Sequence, residues 1–304
     1  MKQESFDPGL TTQFSGEIRR AINRDGTFNV RRKGLRWRDN NLYLQLIDIS
    51  WPRFLFFVVA TFALINLLFA WIYIGLGMEH LVGSEPEMSA FQNAFFFSVH
   101  TLTTVGYGHT YPQGAWANGI AALEASVGLL IFAVAAGLLY GRFSRPSARI
   151  LFSENALVAP YQDATSFQFR ITNARSNVLM DVEARVLMMT VANVDGQLKR
   201  NYFDLPLERR RIYFFPLTWT VVHPIDSESP LYGKTREDLA SVAAELLILI
   251  EAFDDTFSQV VHARYSYRHD EIQWSAKFQP AFHVDAQGDL VLDLDRINER
   301  KLIS

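Results

Sequence analysis

The sequence predicts two unlike halves: an α-helical membrane half with two spans and a half-length helix between them, then an all-β sandwich. Three observations carry this. Residues 54–74 and 118–141 are long runs with at most one charge each. The apolar segment 91–102 between them is too short to cross a bilayer. After Pro146 the hydrophobic period changes from 3.6 residues to two.

Composition narrows the function classes. The chain has 304 residues, a net charge of −3 and 20% charged residues, which fits neither a basic nucleic-acid binder nor an acidic disordered tail. With no cysteine there is no disulfide, thiolate zinc site or cysteine nucleophile. The first fifty residues carry no signal-peptide pattern.

The first span, "FLFFVVATFALINLLFAWIYI", runs for 21 uncharged residues from Phe54 to Ile74. At 1.5 Å per residue it covers about 30 Å, the hydrocarbon thickness of a bilayer. The second, Asn118 to Gly141, is rich in Gly and Ala, as closely packed membrane helices are. Its one charge, Glu124, is expected to face protein or water rather than lipid. Gly128 and Gly137 are open to two readings, hinge or close packing.

Orientation follows from Lys/Arg bias. Nine Lys/Arg lie between Glu17 and Arg53, and Arg142, Arg145 and Arg149 follow the second span. The connection 75–117 has none. Both termini are therefore expected on the cytoplasmic side. The expected divisions are a cytoplasmic N-terminal segment 1–38, a membrane domain 39–146 and a cytoplasmic β domain 147–304.

"FQNAFFFSVHTL" (91–102) reads as a helix that enters the membrane and stops. The stretch after it, Thr104-Val105-Gly106-Tyr107-Gly108, must return as non-helical backbone, tolerated only where it lines a protein or water-filled path. Its two glycines admit left-handed dihedrals that let successive carbonyls point one way. The stretch resembles the selectivity filter of potassium channels, in which four TVGYG loops surround an axis. One copy per chain supplies a quarter of such a ring, so a homotetramer is expected. Potassium is then the transported ion, the only metal expected, and no cofactor is implied. Tyr107 is expected to wedge against the neighbouring pore helix and hold the filter's diameter.

The β half alternates in "SFQFRITN", "DVEARVLMM" and "DLVLDL". Asp195-Gly196 and Gln287-Gly288 mark hairpins, and "TRED" at Thr235 caps a short helix. Repeated short strands of this kind predict a sandwich. The chain carries no G-x-S-x-G, P-loop or H-E-x-x-H, so no enzyme is expected. His262, His269 and His283 are scattered and read as packed or exposed residues, and "HDE" (269–271), read as strand, points its neighbours to opposite faces.

Further stretches extend the resemblance. "FFFSVHTLTTVGYG", "LEASVGLLIFAVAAGLLYGRFSRP", "LFSENALV", "IDSESPLYG" and "EIQW" stand in an order and spacing similar to the inward-rectifier potassium channels, in particular their prokaryotic branch. The likeness runs from about Asp39 to about Phe282. It implies an immunoglobulin-like cytoplasmic sandwich and a bacterial inner-membrane location. Asp39–Ile49 is implied to be an amphipathic slide helix, with Leu42, Leu46 and Ile49 at helical spacing. Tyr140 falls at the inner-helix constriction and Phe132 where strong rectifiers carry an acid. An aromatic there removes the membrane part of the well that Mg²⁺ or polyamines need, so strong block is not implied. Glu251, Asp254 and Asp255 remain as cytoplasmic acids, of which Asp255 matches a pore-facing position. Where relatives brace the filter with a Glu–Arg pair this chain has His100 and Thr110. His100 is then either a packed imidazole or a proton-sensitive support. Arg36, Arg38, Arg142 and Arg145 form a basic rim, read as topology alone or as a site for phosphoinositide or other anionic headgroups. The reading set against the channel is a membrane-anchored scaffold whose filter does not conduct.

Overall fold

The computed structural model describes residues 9–14, 20–34, 41–144, 148–194 and 196–303. They divide into two compact units, Lys33–Arg145 and the remainder. The described residues of the first 32 belong to the second unit, rather than standing apart as a segment.

In the membrane unit, helix α1 spans Leu42–Asp48, with the Asn41 side chain accepting from the Leu44 N–H at its start. Pro52 near the start of helix α2 (Trp51–Leu76) removes a donor that would have no partner there. Its 26 residues extend about 39 Å, and large apolar side chains such as Phe56, Leu64 and Leu68 stand exposed on it. Helix α3 (Ala90–Leu102) begins with a reciprocal cap: Ser89 Oγ accepts from Gln92 N–H, and Gln92 Oε1 accepts from Ser89 N–H. At 13 residues and about 20 Å it is the half-length helix the sequence predicts. Helix α4 (Ala115–Phe143) is the second long apolar helix. Phe69, Ala70 and Tyr73 of α2 bury against Ala94 and Phe97 of α3, so α3 is held from the side. Leu81–Val82 pairs antiparallel with Tyr111–Pro112, bringing the segments before α3 and before α4 together.

The second unit is a sandwich. One sheet orders Gln13–Phe14, Gln197–Asp204, Leu179–Val194, Glu245–Asp254 and Gln259–Arg268, with Arg211–Phe214 paired to Leu179–Val194. The other orders Thr218–Ile225, Ala164–Asn173, Ala156–Tyr161 and Ile272–Trp274, with Ile150–Phe152 alongside. Alternating residues meet between them: Leu246, Ile248 and Ile250 from one sheet, Phe167, Phe169 and Ile171 from the other, all buried. Val194 pairs with Gln197 across the two-residue turn that Gly196 closes at φ 79°. Asp195 lies outside the described residues. The second hairpin has a longer turn, since Val284 pairs with Leu290 and the Asp285 carboxylate accepts from the amides of Gln287 and Asp289. Thr235 and Asp238 cap Arg236–Ser241 reciprocally.

The N-terminal stretch joins this unit by an edge strand and by charge. Gln13–Phe14 extends the first sheet, and Ile22 buries against Met189, Tyr202 and Leu247. Arg20 and Arg24 both reach Glu271, at 3.0 and 2.6 Å. Residues 269–271 form a 3₁₀ turn rather than a strand, which turns Glu271 inward to those arginines and to the Arg268 N–H. The opposite-faces argument therefore fails there, although no metal cluster results: among the described residues no three His, Cys, Asp or Glu gather as metal ligands.

Candidate functional site

The chain leaves α3 through Thr103 and enters a backbone of alternating hand. Thr104, Gly106 and Gly108 have φ of 58°, 52° and 83°, whereas Val105 and Tyr107 keep negative φ. Glycine takes this region freely, and threonine does so at some cost. The alternation turns successive peptide planes the same way. The amides at the start of the segment point back into the helix: Thr104 N–H donates to Thr101 O at 3.0 Å, Val105 and Gly106 N–H to His100 O at 3.0 and 3.3 Å. Among the described residues nothing donates to the carbonyls of Thr104 to Gly108, and all five residues are exposed in the protomer. A row of uncommitted carbonyl dipoles is a set of hard oxygen ligands, which suits an alkali cation.

Behind this segment the packing is aromatic. The His100 ring on α3 meets the Tyr107 ring edge-on, 4.8 Å between centroids, and meets the His109 ring at 5.8 Å. Tyr107 thus meets α3 through His100, the residue read from the sequence as a packed imidazole or a proton-sensitive support. His100 and Thr110 do not meet. The Thr110 hydroxyl lies 3.2 Å from the Gly83 carbonyl and 2.9 Å from His109 Nδ1. Gly83 is held at φ 83°, and a Cβ there would sit 1.8 Å from the His109 carbonyl oxygen. Nothing in the residues around Gly83 announces this contact, because its partner is 26 residues away.

Below the segment, Thr103, Thr104, Gly128 and Phe132 line a cavity of about 500 Å³. Phe132 is among the most exposed side chains of α4, as is Tyr140 further along. The two glycines separate: a Cβ on Gly128 would stand 2.0 Å from the Leu102 carbonyl oxygen, while nothing lies within 4 Å of one on Gly137. Gly128 is the close-packing residue.

Glu124 is fully buried, as its place in a span requires. Its partners come from two other helices. Tyr73 Oη of α2 lies 2.7 Å from Glu124 Oε2, and Ser98 Oγ of α3 contacts Oε1. Ser98 Oγ also lies 3.0 Å from Asn66 Oδ1, and Asn66 Nδ2 donates to the Phe62 carbonyl at 2.7 Å. Asn66, Tyr73 and Ser98 are absent from the sequence reading; the one available signal was a polar residue inside each apolar run.

Of the basic rim, Arg142 is engaged within the protomer. Arg142 gives Nη1 to Leu46 O and Ile47 O at 2.6 and 2.8 Å and Nη2 to Ile49 O at 2.7 Å. It also lies over the Trp51 and Phe54 rings at 4.6 and 4.7 Å. The guanidinium caps the carbonyl end of α1, where a cation satisfies orphan acceptors and the helix dipole, rather than standing free for a headgroup. Arg36, Arg38 and Arg145 lie outside the described residues. Of the acids, Asp255 is exposed at a turn. Asp254 is buried, accepting from Asn177 Nδ2 at 2.8 Å and Thr256 N–H at 3.0 Å, so it is a turn residue and not a free charge. Glu251 is half-exposed and lies 3.3 Å from His262 Nε2.

Comparison with known proteins adds two matches to family models. Residues 150–304 match that of the inward rectifier potassium channel C-terminal domain, and residues 61–145 that of the ion channel family. The chain is 38% identical over 284 residues to the inward rectifier potassium channel Kirbac3.1 of Paramagnetospirillum magnetotacticum, covering 92% of this chain and 95% of that one. It is 28% identical to the human G protein-activated inward rectifier potassium channel 3, over 85% and 72% of the two chains. With the inward rectifier potassium channel irk-1 of Caenorhabditis elegans it shares 25% identity over 91% and 56%.

Proposed function

The chain belongs to the inward rectifier potassium channel family, and from that premise we propose that it forms a homotetrameric, potassium-selective channel through four copies of Thr104–Gly108. The observation that carries this is the alternating backbone with its uncommitted carbonyls. Four such segments around an axis replace the hydration shell of K⁺, and the negative end of α3 favours a cation below them. K⁺ is cargo, and no cofactor takes part.

Conduction ends at a gate near Tyr140, while Phe132 lines the wall beneath the filter. With no acid at 132, internal Mg²⁺ and polyamines meet weaker cytoplasmic charges such as Glu251 and Asp255, so rectification is weak. On the Lys/Arg bias both termini lie on the cytoplasmic side and Tyr107–Thr110 outside, and the likeness to a bacterial channel supports a bacterial inner membrane. Anionic lipid acts on the basic rim at Arg36, Arg38 and Arg145, and Arg142 relays the slide helix to α4 by its cap. The His100 ring supports Tyr107.

Reconstitution in liposomes tests the proposal. K⁺ flux blocked by Ba²⁺, with little Na⁺ flux, is expected, and Gly106→Ala should abolish it. Equal K⁺ and Na⁺ permeability, or a Gly106→Ala protein that conducts normally, would sink the proposal in favour of a non-conducting scaffold.

A further inference from the structure

Counting hydrogens in the buried cluster assigns the state of one carboxyl. The Phe62 carbonyl can only accept, so the Asn66 amide nitrogen must face it, which leaves Asn66 Oδ1 toward Ser98. That oxygen also only accepts. The single hydroxyl hydrogen of Ser98 must therefore go to Asn66, and Ser98 Oγ becomes an acceptor toward Glu124. The Tyr73 hydroxyl supplies Glu124 Oε2 and nothing else. The chain of contacts is one hydrogen short unless Glu124 Oε1 carries it. Were Glu124 ionised, Ser98 would have to donate to it. Asn66 Oδ1 would then face a lone pair in a fully buried place. Among the described residues no Lys, Arg or His forms an ion pair with Glu124. Tyr73 is the other titratable group in direct contact with it.

We infer that Glu124 is a neutral carboxylic acid that donates to Ser98, and that this donated bond positions α3, and with it the filter. The ordered run is Glu124 to Ser98 to Asn66 to the Phe62 carbonyl, with Tyr73 closing the other oxygen. It fastens α4 and α2 to α3 four residues before α3 ends at Leu102. A charged residue in this place would have to be paired or hydrated; a neutral one needs only the hydroxyls it has. Glu124 is a positioning residue, since it touches no ion. Its effect on the filter rests on the potassium-channel reading, whereas its protonation does not.

Infrared spectroscopy of the full-length channel in lipid, with the glutamate carboxyl carbons isotopically labelled, separates the two. At neutral pH the wild type should show the carbonyl stretch of a buried protonated acid, shifted by the label and missing in Glu124→Gln. Gln keeps one donor and one acceptor, so Glu124→Gln should keep K⁺ flux within about twofold, whereas Ser98→Ala should lose roughly tenfold and leak Na⁺, the weight of a hydrogen bond of ordinary strength. Absence of the acid band, or a Glu124→Gln channel as impaired as Ser98→Ala, overturns the inference. A wild type that shows the band but does not select K⁺ fails the channel reading instead.

Discussion

Replacing Gly128 by alanine sets a methyl group against backbone at the end of α3. The added methyl would stand 2.0 Å from the Leu102 carbonyl oxygen and 2.9 Å from its carbon. Ordinary contact begins at 3.4 Å, so one helix must withdraw by about 1.4 Å (3.4 less 2.0). The obstacle is backbone and cannot turn aside as a side chain does. Leu102 ends α3 one residue before Thr103, so the displacement passes into the filter. Overpacking of this kind costs about 1–3 kcal/mol. Alanine also improves a helix over glycine by roughly 0.8–1 kcal/mol, which partly hides the loss. Gly137→Ala, with nothing within 4 Å of its Cβ, takes the same helical gain without the clash. The difference between the two variants isolates the contact, and about 1–3 kcal/mol amounts to roughly 5- to 150-fold in correctly packed protein. Survival of the tetramer on heating in detergent, read by size exclusion, and K⁺ over Na⁺ flux in liposomes both report it. Equal behaviour of Gly128→Ala and Gly137→Ala in both assays would refute the close-packing argument.

Four further outcomes follow from the same contacts. Gly83→Ala meets both a φ of 83° and a carbonyl 1.8 Å away; selectivity should fall while circular dichroism keeps its β signal. Arg142→Gln removes the fork that caps α1, and open probability in single-channel records should shift, with Arg142→Lys intermediate because a lone ammonium cannot span all three carbonyls. Phe132→Asp sets four carboxylates into the cavity and should introduce voltage-dependent block by internal Mg²⁺ or spermine, measured in excised patches. Burial lowers the His223 pKa below its usual 6.5, against the pull of the Pro206 carbonyl. The unfolded chain therefore binds the proton more readily, and the stability held above pH 6.5 is lost as pH falls below it. His223→Gln should flatten that acid-side decline in the thermal unfolding of the full-length chain.

What could be read early was local in sequence. Uncharged length marked the spans, periodicity the sandwich strands, and two glycines the reversal of hand at 106 and 108, because dihedral preference belongs to each residue. Thr104 escaped as a positive-φ residue, since threonine has no such preference and the α3 terminus imposes it. The 269–271 turn escaped for a related reason: a strand-like pattern gives way when arginines from the N-terminal stretch pull Glu271 inward. Arg142 was found as a charge but not as the cap of α1, because charge says nothing about which acceptors lie nearby.

The sequence alone therefore determined the two-span architecture, the half-length helix and the carbonyl-lined segment, all consequences of hydrophobic period, length and backbone freedom. The tertiary structure decided which glycine packs, what Arg142 caps, and how Glu124 is held by residues 26 and 51 positions away. Those are matters of hydrogen-bond satisfaction and steric contact between distant segments, and no local pattern encodes a partner that only folding brings near.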